Sequence, residues 1–184
     1  MSAAKRDVIS RIKGNKTLHR AVSTIAASAY DRSSGNDALC RSWREAFDMD
    51  HVKTAWLNAC GASDHTLKSA DALFVSDDTA YLVEFKNGEQ DNVKKWEIEN
   101  KVVSSLLMLS DLTELPCSMI RGHLVFVYVI RSREVIHQWL DRKSGRGKND
   151  TSTVEAIHSF VPALYRESLV MRGDEFDRFV DALA

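Results

Sequence analysis

The chain of 184 residues is poor in cysteine and has no long apolar run. Its three cysteines, Cys40, Cys60 and Cys117, lack the spacing of a metal site and cannot all pair with one another within one chain. No apolar run approaches the ~20 residues that a membrane-spanning helix requires. Together with the lack of a recognisable signal peptide at Met1, these absences predict reduced thiols and a cytoplasmic protein with no membrane partner.

An excess of charge of either sign is also absent. The formal net charge of -1 at pH 7 excludes a strongly basic nucleic-acid binder on bulk charge, although a local basic groove is compatible with it. The 44% apolar and 28% charged content is typical of a globular protein, and 184 residues are enough for one domain over 1–184. The sequence leaves the oligomeric state open, a homo-oligomer included.

Apolar spacing predicts helices on both sides of a β-hairpin. Before the hairpin we expect a helix with Leu18, Val22, Ile25 and Ala29 on one face, a second capped by Asp37 that carries Leu39, Trp43, Ala46 and Phe47, and a third in VKTAWLNACG that ends at Gly61. These assignments predict an α/β protein, with a mixed sheet flanked by helices and extra helices at both ends.

After the hairpin, a long helix from about Gln90 is expected to bury Val93, Trp96, Val103, Leu106 and Leu107. The run HLVFVYVIR is apolar on both faces, which predicts a central strand. A helix around Val135–Leu140, a polar loop, a short helix with a capping box at Ser152 and an amphipathic C-terminal helix through Phe176 should follow. The segment ALYRESLVM fits a strand or a helix.

The hairpin segments LKSADALFVS and TAYLVEFK flank the turn residues Asp77 and Asp78. A turn centred between these two aspartates places Asp71 directly opposite Glu84, with Cβ atoms ~5 Å apart. Lys86 points to the same face because side chains alternate along a strand. The hairpin therefore carries three charges at one end of an otherwise apolar face.

Two carboxylates in this position repel each other strongly. At ~4 Å and an effective dielectric constant near 20, the repulsion is roughly 4 kcal/mol, and one lysine offsets only part of it. Either one carboxyl group takes a proton with a raised pKa, or a cation completes the site. Mg²⁺ commonly binds to one or two carboxylates together with waters and a substrate phosphate, so the pattern points to phosphodiester chemistry.

The stretch SADALFVSDDTAYLVEFKNG resembles the core of the PD-(D/E)xK nuclease superfamily and is similar to small bacterial members of it. Asp71, Glu84 and Lys86 match the acid, acid and lysine of its motif, whereas Ala70 stands where the family's name expects proline. The resemblance covers about 68–131. It implies a restriction-endonuclease-like αβββαβ core, which the expected long helix and central strand would complete.

This resemblance implies a metal-dependent nuclease, with DNA favoured over RNA because of the fold. Asp71, Glu84 and the backbone carbonyl of Phe85 would hold Mg²⁺ or Mn²⁺. Lys86 would orient the attacking water or stabilise the charge of the transition state. Family members often add an acid from the first core helix, for which Glu45 is the candidate.

Other interpretations stay open. The three charged residues also fit a structural ion cluster, and the domain also fits a catalytically inactive module that binds nucleic acid or protein. Lys94, Lys95 and Lys101 fit phosphate contacts or a solvated helix face, and Arg142, Lys143, Arg146 and Lys148 fit a clamping loop or a linker. The four tryptophans, Trp43, Trp56, Trp96 and Trp139, are expected to pack in the core and not to stack on bases.

Overall fold

The computed structural model describes residues 3–30, 39–63, 67–86, 95–131 and 163–183. Six strands form one mixed sheet in chain order: β1 (Val22–Thr24), β2 (Glu45–Asp48), β3 (Ala72–Val75), β4 (Ala80–Lys86), β5 (Leu124–Ile130) and β6 (Glu167–Arg172). The first four strands pair antiparallel, whereas β4, β5 and β6 pair parallel.

Helices cover both faces of the sheet. They are α1 (Ala3–Gly14), α2 (Lys16–His19), α3 (Ile25–Ser28), α4 (Met49–Ala59), α5 (Lys95–Thr113), α6 (Cys117–Ile120) and α7 (Gly173–Ala182), with a 3-10 turn at Arg121–His123. One core cluster joins the sheet to α1, α4 and α5, and the other joins it to α3 and α7. The expected α/β class with a mixed, helix-flanked sheet is confirmed. Among the described residues, no helix combines the length and the apolar character needed to cross a membrane.

The hairpin has the register expected from the sequence. Ala72 pairs with Val83 and Val75 pairs with Ala80, so the turn is centred between residues 77 and 78. Leu73 and Leu82 face the α5 side, whereas Phe74 and Tyr81 face the α7 side. The predicted central strand is confirmed as well, because β5 lies between β4 and β6 with all seven residues buried.

The first predicted helix is wrong in part, and the second is wrong. In place of one helix over residues 18–29, the chain forms α2, β1 and α3. The Asn15 side chain caps α2, and the Thr24 hydroxyl accepts from the Ala27 N–H to begin α3. Each of these side chains supplies an oxygen to N–H groups that a helix start leaves unpaired, so capping divides the periodic pattern.

The predicted helix carrying residues 39–47 is a non-helical segment followed by β2, and its expected cap, Asp37, lies outside the described residues. The Asp177 carboxylate of α7 accepts hydrogen bonds from the N–H groups of Arg41 and Ser42 at 3.0–3.1 Å. The Ser42 carbonyl accepts from the Ala26 N–H at 2.9 Å. Backbone N–H and C=O groups that would form hydrogen bonds within a helix are therefore bonded to distant parts of the chain.

Helix α5 buries a different face from the one predicted. Ile98, Val102 and Leu109 are buried, whereas Trp96 and Leu107 are about half exposed. Of the expected apolar set, Leu106 is buried and Val93 lies outside the described residues. The rotation follows from polar contacts of α5 with the segment before β3, which are described below.

Some of the remaining predicted elements are confirmed, and the others lie outside the described residues. The predicted third helix is confirmed as α4, with Gly61 at φ 67° just past its end. ALYRESLVM contributes strand β6, and the C-terminal helix is confirmed as α7 with Phe176 and Val180 buried. The predicted helices around 135–140 and Ser152, and the basic loop between them, lie outside the described residues.

Candidate active site

Asp71 and Glu84 meet on the α5 side of the sheet, where both contact one lysine from α5. The Lys101 Nζ lies 3.2 Å from Asp71 Oδ1 and 2.5 Å from Glu84 Oε1. The Glu84 side chain is 10% exposed, whereas those of Asp71 and Lys101 are 24% and 22% exposed. Glu84 therefore forms the floor of the cluster, and solvent reaches it past Asp71 and Lys101.

Backbone contacts hold Asp71 at the beginning of β3. The Phe85 N–H donates to Asp71 Oδ2 at 2.6 Å, and the Asp71 N–H donates to the Val83 carbonyl at 3.0 Å. The Asp71 carbonyl accepts from the N–H of Met49, the first residue of α4, at 3.2 Å. The Asp71 carboxylate thus accepts a hydrogen bond from the N–H of Phe85 on β4, and this bond holds it beside Glu84.

Three polar residues of α5, each four positions apart, face the segment before β3. Glu97 pairs with Lys68 at 3.1 Å, Lys101 pairs with the two acids, and the Ser105 hydroxyl accepts from the Ala70 N–H at 3.0 Å. Residues four apart lie on one side of a helix. This polar stripe turns α5 so that its apolar residues on the other flank remain exposed.

A third acid, Asp50, comes from the first turn of α4. Its Oδ1 accepts from the Ser69 hydroxyl at 2.6 Å and pairs with Lys53 at 3.3 Å. Glu45 is not in this group. It is exposed and lies at the end of β2 away from Asp71, because Asp48 of β2 is the residue paired next to Asp71, at Ala72. The sequence signal for Asp50 is an acid at a helix start shortly before the motif strand.

The cluster changes the ionisation of its members. Burial and the nearby charge of Asp71 raise the pKa of Glu84 to about 8, although Lys101 acts in the opposite direction. Burial likewise raises the pKa of Asp71, against the lowering effect of Lys101. Burial would lower the pKa of Lys101, but the two carboxylates outweigh it and raise this pKa. At neutral pH, without a bound cation, a proton on Glu84 completes the charge balance.

Two buried oxygens in the site have no hydrogen-bond partner within the described residues: Glu84 Oε2 and the Tyr128 hydroxyl. Tyr128 is the β5 residue paired with Glu84, and both face α5. Burial, and the charges of Glu84 and Asp71, raise the pKa of Tyr128. A buried polar atom without a partner is costly and suggests a missing water or ion. Two carboxylates with a free oxygen fit the preference of Mg²⁺ or Mn²⁺ for oxygen ligands.

Comparison with known proteins gives no relative. No family model, curated protein or solved structure matches this chain.

Lys86 and Phe85 lie beside the cluster. Lys86 is half-buried on β4, and among the described residues the lysine within ion-pair distance of the two acids is Lys101. The N–H of Phe85 contacts Asp71, and its ring packs against Phe176 on the opposite face. The metal-binding role of the Phe85 carbonyl and the catalytic role of Lys86 remain predictions. The sequence left open whether Lys101 contacts phosphate or lies on a solvated helix face, and it did not predict the contacts of Lys101 with Asp71 and Glu84.

We expect Lys101→Met to destabilise the cation-free protein by about 3 kcal/mol at pH 8, since removing one partner of a buried pair leaves uncompensated charge. Lys86→Met should change the free energy of unfolding by under about 1 kcal/mol, because Lys86 makes no comparable pair with any residue that the structure describes. Urea unfolding of both variants measures the difference. Equal losses for the two variants would show that Lys101 does not carry the charge compensation.

Proposed function

We propose that the protein is a divalent-cation-dependent phosphodiesterase that acts on nucleic acid, with DNA favoured. The observation that carries this proposal is the buried pair Asp71 and Glu84, which shares one ammonium and leaves a carboxylate oxygen without a partner among the described residues. An acid pair with one lysine is left with one excess negative charge when both acids are ionised. A divalent cation and an anionic substrate together compensate that charge.

The order of elements supports the same proposal. Strands β2, β3 and β4 are antiparallel neighbours, α5 follows β4, and β5 returns parallel to β4. This is the order of strands, helix and strand in the restriction-endonuclease-like core that the motif implies. One departure is that α4 is inserted between β2 and β3. We propose that the chain has this core, with the acids at the beginning of β3 and on β4.

Asp71 and Glu84 would hold the Mg²⁺ or Mn²⁺ ion, with Asp50 close enough to add negative potential. A bound ion of this kind lowers the pKa of a coordinated water and offsets charge on a phosphate. The Lys101 ammonium contacts both carboxylates and its side chain is 22% exposed, so it is one ammonium available to a phosphate oxygen. Lys86, two residues past Glu84 on the same face, is the second ammonium available for this role.

A catalytically inactive module is the competing proposal, and a specific contact favours it. The Lys101 ammonium already occupies the position between the two carboxylates, as it would in a purely structural ion cluster. In that case the fold would serve nucleic-acid or protein binding without hydrolysis.

Cation binding and cleavage separate the two proposals. Calorimetric titration with Mn²⁺ should detect binding to the wild type, weakened on the order of 10²-fold or more in Asp71→Ala and Glu84→Ala. Cleavage of single-stranded DNA, duplex DNA and RNA should fall on the order of 10³-fold in either variant, because ligands of one site act as a unit. Lys86→Ala and Lys101→Ala should retain cation binding, and the one that abolishes cleavage identifies the catalytic lysine.

The pH dependence of cation binding is part of the same test. Because the Glu84 carboxyl group must lose its proton to bind a cation, the affinity for Mn²⁺ should rise with pH up to about 8 and then level off. Cleavage that persists unchanged in Glu84→Ala would contradict the assignment of the site. Absence of Mn²⁺ binding to the wild type at any pH would favour the inactive module.

A further inference from the structure

Trp96 is an exposed tryptophan on α5, the helix that carries Lys101. It lies in the first turn of α5, and 51% of its surface is accessible, although the sequence favoured a core position. The Nζ of Lys68 lies 5.4 Å from the centroid of the indole and 3.1 Å from Glu97 Oε1. One ammonium therefore contacts both the ring and the neighbouring carboxylate.

The position of this pair relative to the catalytic acids is set by several contacts. Lys68 is three residues before Asp71, and the intervening residues are held in place by the bonds of Ser69 to Asp50 and of Ala70 to Ser105. Trp96 precedes Lys101 by five residues, which corresponds to about 7.5 Å along the helix axis. Five residues also turn the helix by about 140°, so Trp96 lies on a flank next to the one that carries Lys101, and its link to the site is the Lys68 ammonium that contacts the indole three residues before Asp71.

The charges around the opening suit an anionic ligand once a divalent cation is bound. The contacts described above join four acids, Asp50, Asp71, Glu84 and Glu97, to three lysines, Lys53, Lys68 and Lys101, and Lys86 lies two residues past Glu84 on the same strand. A bound divalent cation would give this group of eight side chains a net positive charge. An indole next to lysines at such a place combines a surface on which bases stack with cations that contact the backbone, which is how single strands are bound.

We propose that Trp96 and Lys68 form a subsite for an unpaired nucleobase next to the acid pair, so that the substrate is a single-stranded or locally unpaired nucleic acid. This inference rests on the function proposed above and adds the substrate class. A base within a duplex is stacked on both sides and has no free face for the indole. The Lys68 ammonium would hold the ring and contact a phosphate on the same strand.

Binding measurements on matched tryptophan variants test this subsite. Fluorescence anisotropy would follow a labelled oligothymidylate and a labelled DNA hairpin duplex in the Glu84→Gln background, where cleavage is prevented and the loss of one carboxylate leaves the group of side chains positive without a bound cation. Trp96→Ala should weaken single-strand binding about 10- to 100-fold, Trp96→Phe should weaken it less, and duplex binding should not change. The control is Trp43→Ala, because Trp43 is 82% exposed but lies before β2, at the end of that strand away from Asp71.

The outcomes separate this subsite from the proposed activity. If single-strand binding depends on Trp96 but the wild type cleaves no nucleic acid, the subsite is supported and the hydrolase is refuted. Cleavage by the wild type together with unchanged binding in Trp96→Ala would refute the subsite and leave the hydrolase standing. An equal loss in Trp43→Ala and Trp96→Ala, or absence of any nucleic-acid binding, would also refute the subsite.

Discussion

Replacement of Glu84 by glutamine is expected to stabilise the cation-free protein by about 2–4 kcal/mol at pH 9 and to have little effect at pH 4. In the folded protein, burial and the charge of Asp71 raise the pKa of Glu84 from 4.5 to about 8. The folded state thus holds this proton more tightly than the unfolded state. The wild type therefore loses stability as pH rises from about 4.5 to about 8, and a neutral glutamine avoids that loss.

Urea unfolding across this pH range, with a chelator present, measures the difference. Glu97→Gln is the matched control, because Glu97 is also paired with a lysine beside α5 but is 32% exposed. Its effect should stay within about 1 kcal/mol at every pH. Added Mn²⁺ should raise the melting temperature of the wild type and not that of Glu84→Gln, since a ligand of the folded state stabilises it by mass action. A pH-independent effect of Glu84→Gln would show that Glu84 ionises normally in the fold.

Gly173→Ala is expected to destabilise the protein by about 3 kcal/mol or more, through overpacking against a backbone atom. Gly173 is the buried first residue of α7, and a Cβ added there would lie 1.9 Å from the Leu39 carbonyl oxygen. Neither group can move independently, because Asp177 of α7 also binds the N–H groups of Arg41 and Ser42. The substitution should therefore separate α7 from the segment before β2.

Thermal unfolding compares this variant with Gly122→Ala. A Cβ at Gly122 meets no atom of the described part of the chain within 4 Å, so this control should change stability by under about 0.5 kcal/mol. A similar melting temperature for the two variants would contradict the close approach of α7 to Leu39.

The sequence alone determined the hairpin and the acid pair. Alternation along TAYLVEFK and a turn at Asp77 and Asp78 are local properties, and they suffice to place Asp71 opposite Glu84. Two alternatives follow from the same local argument, a proton on one acid with a raised pKa or a bound cation, because two ionised carboxylates on adjacent strands repel each other; in the cation-free fold the pKa of Glu84 is raised. The central strand β5 was predictable for a similar reason, since an uninterrupted apolar run suits burial on both faces.

The tertiary structure alone decided which lysine meets the acids and which tryptophan faces solvent. Lys101 is 17 residues from Glu84 in sequence, and its place depends on how α5 rotates as it packs across the sheet. That rotation is set by Glu97, Lys101 and Ser105 contacting the segment before β3, and it also leaves Trp96 exposed. The spacing of apolar residues indicates that a segment is a helix with an apolar and a polar side. Which side is buried depends on long-range polar partners, and these are brought together only by folding.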